Sequence, residues 1–79
     1  MNNKVEEMMA SLDAMYAVFV EHNSNPADTI AYYNNTYGFS TASVKDMLTV
    51  AIIKANKDAN GESCVADVEA LITRHKQNI

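Results

Sequence analysis

Cys64, His22 and His75 are the side chains here whose types suit nucleophilic or metal chemistry. A thiolate nucleophile needs a base within hydrogen-bond reach and a third group to orient that base. Cys64 begins a predicted helix and His75 lies roughly three turns further along it, out of reach. His22 closes a different helix. The spacing therefore predicts that Cys64 packs as a small apolar residue beside Leu71, and that the chain is not an enzyme. No Cys or His pair has zinc-site spacing and no HExxH is present, so no resident metal or cofactor is expected.

Residues 56–67 offer a second possibility. Oxygen-bearing side chains alternate at Asn56, Asp58 and Asn60, Gly61 follows where a sharp turn is needed, and Asp67 closes the run. The stretch resembles the calcium loop of an EF-hand, which implies cation ligation by Asn56, Asp58, Asn60 and Asp67. It departs from that pattern at Asn56, where an aspartate is usual, and at Asp67, where a longer glutamate binds through both oxygens. Ser63 stands where paired loops carry an aliphatic residue, and no second loop exists to pair with. A plain turn between two helices accounts for the same residues.

Gly38 and the segments around it resemble a DNA-binding helix-turn-helix, with Gly38 in the turn and Val44 in the core. That reading offers Thr41, Ser43 and Lys45 to a groove. Asn34 stands where the motif usually has a small residue, and Lys45 is a lone cation beside Asp46, whereas phosphate binding usually needs several.

The aromatic residues form a different pattern. Tyr16, Phe19, Tyr32, Tyr33, Tyr37 and Phe39 all fall between positions 16 and 39. Ile30, Tyr33 and Tyr37 share one helical face and are expected to pack inward. Tyr32 projects elsewhere and suits a binding anchor, because tyrosine brings area at low entropic cost. The net charge is −4 and its excess lies in residues 1–40, where Lys4 faces Glu6, Glu7, Asp13, Glu21 and Asp28. An acidic surface of this kind suits a basic partner and repels phosphate. The expected partner-binding residues are Glu6, Glu7, Asp13, Glu21, Asp28 and Tyr32. The expected function is that of a non-enzymatic protein-binding module, a small acidic regulator or inhibitor that docks on a larger protein or complex. Small proteins encoded by phages and other mobile elements furnish examples of that class. Nucleic acid is the less favoured partner, and a homodimer is compatible with the apolar seams described next.

Four helices must position these residues. Val5, Met8, Leu12, Met15 and Phe19 recur at steps of three and four, as do Val65, Val68, Ile72, His75 and Ile79, the spacing of helices packed lengthwise. The periodicity and its punctuation predict an all-α, compact four-helix bundle with helices at about 3–22, 26–37, 41–57 and 64–77. Asn25 with Pro26 opens the second helix and Gly38 closes it. Ser40 or Thr41 caps the third, with Phe39 stapled onto Val44. Asn60-Gly61 marks the next turn, and Ser63 caps the fourth helix. In an up-down-up-down order, Glu6 and Glu7 would face Arg74 and Lys76. A hydrophobic share of 48% against 20% charged residues is that of a folded chain, and 79 residues make a single domain. No apolar run approaches the roughly 20 residues of a membrane span. One cysteine permits no internal disulfide, which favours a reducing compartment, the cytoplasm.

Overall fold

The computed structural model describes residues 3–77 and contains four helices: α1 (Asn3–Glu21), α2 (Pro26–Tyr37), α3 (Thr41–Ala59) and α4 (Val65–Gln77). Helix ends follow from local hydrogen bonding. Ser24 N–H donates to Phe19 O at 2.8 Å and Asn23 N–H to Val20 O at 3.0 Å, with Asn23 in the left-handed region at φ 60°. This Schellman closure ends α1 one residue before the predicted stop, and asparagine tolerates the required backbone shape. The same pair of bonds closes α3, from Glu62 to Lys57 O at 2.8 Å and from Gly61 to Asp58 O at 3.2 Å. Gly61 sits at φ 71°. That closure carries α3 two residues beyond its predicted end.

Asn25 caps α2 by accepting from Asp28 N–H at 3.1 Å, and Pro26 opens the helix. Gly38, at φ 73°, ends it with one bond from its N–H to Asn34 O at 3.0 Å. Ser40 is the α3 cap, its hydroxyl accepting from Ser43 N–H at 3.2 Å. At α4 the Ser63 hydroxyl accepts from Val65 N–H at 3.3 Å, while Cys64 O takes the first helical bond from Val68. The helix thus starts one residue later than predicted.

The core is built from Val5, Leu12 and Met15 of α1, Tyr33 of α2, Val44, Leu48, Val50 and Ala51 of α3, and Cys64, Val68 and Leu71 from the α4 segment. The α1 seam is as predicted. The α4 seam is rotated. Cys64, Val68 and Leu71 are buried whereas Val65 is 41% exposed. The sequence pattern admits both registers, and Ile72 of the predicted seam stays partly buried against the core. Ile79 and the Lys76 side chain lie outside the described residues.

The packing also differs from a square up-down-up-down bundle, in which α1 and α3 would be diagonal. Here α1 and α3 form the most extensive pair, α4 rests on both, and α2 rests mainly on α3, with no close backbone approach to α4 among the described residues. The result is a slab of 33 × 32 × 16 Å. Lys54 clasps the central pair. Its side chain is 8% exposed, and Nζ donates to Asp13 at 2.7 Å and to Asp58 at 2.6 Å. Arg74 does not meet Glu6 or Glu7. It forks onto both oxygens of Asp46, at 2.9 and 2.7 Å, and joins α4 to α3.

Candidate binding groove

The aromatic residues gather where α2 turns into α3. Asn34 sets this corner. Its side-chain amide donates to Phe39 O at 2.6 Å, and its carbonyl oxygen lies 3.4 Å from the Thr41 hydroxyl that donates to it. The left-handed Gly38 then lets the chain fold back so that Phe39 lies on α2. The Phe39 ring stacks with Tyr37, centroids 5.5 Å apart, and with Tyr33 at 6.3 Å. Tyr32 meets Tyr33 edge-on at 5.5 Å and His22 at 5.4 Å. Burial, then the neighbouring Tyr37 and Tyr32 hydroxyls, push the Tyr33 phenol above its ordinary pKa.

One expectation is corrected at this corner. Tyr37 is expected to pack inward but, as the last residue of α2, is 57% exposed. Phe39 stays 43% exposed and stacks on the tyrosines.

Tyr33, Tyr37 and Phe39 line an open groove of about 390 Å³ together with Ser11, Ala14 and Met15 of α1, Ser43 and Met47 of α3, and His75 of α4. Ser43 and His75 also border a smaller polar cleft with Ser40, Ala42 and Asp46. There His75 Nε2 stands 3.6 Å from Asp46, whose carboxyl is held below its ordinary value chiefly by the Arg74 hydrogen bonds. Serine, histidine and aspartate therefore border one cleft, but the aspartate is spent on joining two helices.

The predicted partner-binding residues separate into groups. On α1 the helical period sets Glu6 and Glu21 on an outward face with Ala10 and Ala17, and puts Glu7 and Ala14 at the edge leading to the groove. All six are exposed. Asp13 is exposed as well, but its carboxylate is engaged by Lys54. Asp28 and Tyr32 flank the turn at the far end of α1. Glu7 and Glu21 are separated by about 21 Å along the helix at 1.5 Å per residue. Glu6, Glu7, Glu21 and Asp28 form no ion pair among the described residues.

The residues of the helix-turn-helix reading lie at the start of α3. Thr41 is tied to Asn34, Ser43 lines the groove, and Lys45 is exposed. The calcium-like stretch is not a loop. Asn56 and Asp58 are within α3, Asp58 is bonded to Lys54, and Asp67 is bonded to Lys57 at 2.6 Å. Asn60 is the residue after the helix. The two carboxylates of the set, Asp58 and Asp67, are each paired with a lysine.

Sequence reasoning passed over Tyr37, Phe39, Met47 and His75 as groove residues. The signal that points to them is the spacing Tyr33, Tyr37, Phe39 across a glycine, which stacks rings around a helix end. No family model matches the chain, and neither does any curated protein or solved structure.

Proposed function

We propose that this chain is a protein-binding module that docks on a larger protein, as a small acidic regulator or inhibitor, and works by occupancy rather than by catalysing a reaction. The observation that carries this reading is the joined exposure of Tyr37 and Phe39, 57% and 43% open, beside an apolar groove. Stacked aromatic rings left in water at a groove edge are the composition of a docking surface, where aromatic anchors supply most of the affinity. A chain of 79 residues also has little apolar surface to spare from its own core. The unbridged Cys64 suits a partner in the cytoplasm.

Use of α2 and α3 to read DNA draws less support. Lys54 and Lys57 are committed to aspartates, which leaves Lys45 as the cation that α3 presents among the described residues. Capture of the tagged full-length chain from its native host, with protein and nucleic acid both identified, is the test. A stoichiometric protein partner is expected. Recovery of DNA with no protein would sink the docking reading.

A further inference from the structure

The groove's α1 lining, Ser11 and Ala14, adjoins the edge that carries Glu7, and the exposed face with Glu6, Ala10, Ala17 and Glu21 lies next to that edge. These glutamates are in no ion pair among the described residues, and the nearby Arg74 charge is matched by Asp46. The groove is also lined by the stacked, exposed rings of Tyr37 and Phe39, and aromatic rings attract cations through their quadrupoles. Small residues beneath and acids at both ends leave room for a backbone to approach closely and meet positive charge.

Resting on the docking function above, we propose that this surface receives a lysine- or arginine-bearing segment of the partner protein. The segment lies along the outward face of α1 and inserts one large apolar side chain between Met15, Met47 and Phe39. The apolar anchor supplies affinity, and the glutamates select basic flanks and speed association.

The test is a selection of a randomised, phage-displayed 16-residue peptide library (roughly one length of helix across a domain) on the full-length chain. Enriched peptides are expected to carry a net positive charge and a large aliphatic or aromatic residue. Chosen peptides, made synthetically, should bind the Tyr37→Ala chain at least about tenfold more weakly. They should bind Glu6→Lys/Glu7→Lys several-fold more weakly, with a reduced salt dependence. Glu62→Lys, on the remote α3–α4 turn, should change binding by less than about twofold. Circular dichroism establishes that each variant is folded. Enrichment of acidic or neutral peptides, equal binding by Tyr37→Ala, or no enrichment overturns the proposal. So does a dimer in sedimentation that Tyr37→Ala abolishes, which would make a second copy the occupant. A native partner that is captured but survives both sets of substitutions would remove this surface and leave the docking function standing. Failure to capture any protein would remove the function itself.

Discussion

Asn34 shows how much one polar side chain decides. A small residue at its place would suit a helix-turn-helix, but the amide instead fastens Phe39 O and the Thr41 hydroxyl. Gly38 shares that duty through its backbone. A Cβ there would meet nothing within 4 Å, so the obstacle to replacement is its φ of 73° alone. Gly38→Ala should cost about 1 kcal/mol, and Gly38→Asn distinctly less, because asparagine enters the left-handed region more readily. Urea midpoints measure both, and an alanine variant as stable as the parent would refute the strain argument. Asp46 has a pH signature. Its folded pKa is lowered, so its contribution is present above the ordinary value of 3.8 and is lost as pH falls through the lowered value. The stability gap between the parent and Asp46→Asn should therefore be full at neutral pH and close in acid. A gap unchanged from pH 7 to pH 2 would show that the Arg74 fork contributes nothing.

At the scale of elements, helix existence and type were legible because seams of period 3.6 recur and each turn carries its own punctuation. Asn25-Pro26, Gly38 and Ser40 act as read. What was not legible is which of two overlapping stripes a helix buries. On α4, Val65 and Cys64 begin competing stripes that share Val68, and only the position of α1 and α3 selects the second. Leu71→Ala should cost about 2–5 kcal/mol. Val65→Ala should cost less than about 0.5 kcal/mol. The reverse order would mean that the seam runs through Val65. Lys54 was equally hidden, since its partner Asp13 is on another helix. Asp13 and Asp58 are 63% and 51% exposed, so both can return to water when the lysine is lost. Lys54→Met should change stability by no more than ~1 kcal/mol. Lys54→Glu, which buries a negative charge between two others, should cost about 3 kcal/mol or more. Similar losses for the two variants would show that packing, not charge, governs the clasp.

For the whole molecule, periodicity foretold a compact all-α arrangement of four helices, but the order of packing could not be read from chain order. Short connections suggest neighbours in sequence, whereas the central pair is α1 with α3. The candidate surface was legible in part for the same reason. Glu6, Glu7 and Tyr32 announce themselves by type, while the groove exists only once Phe39 folds back beside Met15 and Met47.

The isolation of α2 from α4 has a spectroscopic consequence. The chain has no tryptophan, and its tyrosines are Tyr16, Tyr32, Tyr33 and Tyr37, so intrinsic fluorescence reports mostly from α2. Far-ultraviolet ellipticity reports from every helix together. An element held largely by one neighbour opens at lower free energy than the pair at the centre. Emission should therefore change at lower urea than ellipticity, and the two curves should separate rather than superimpose. Superimposed curves would mean that the slab melts as one body, with its aromatic corner as firmly held as its middle.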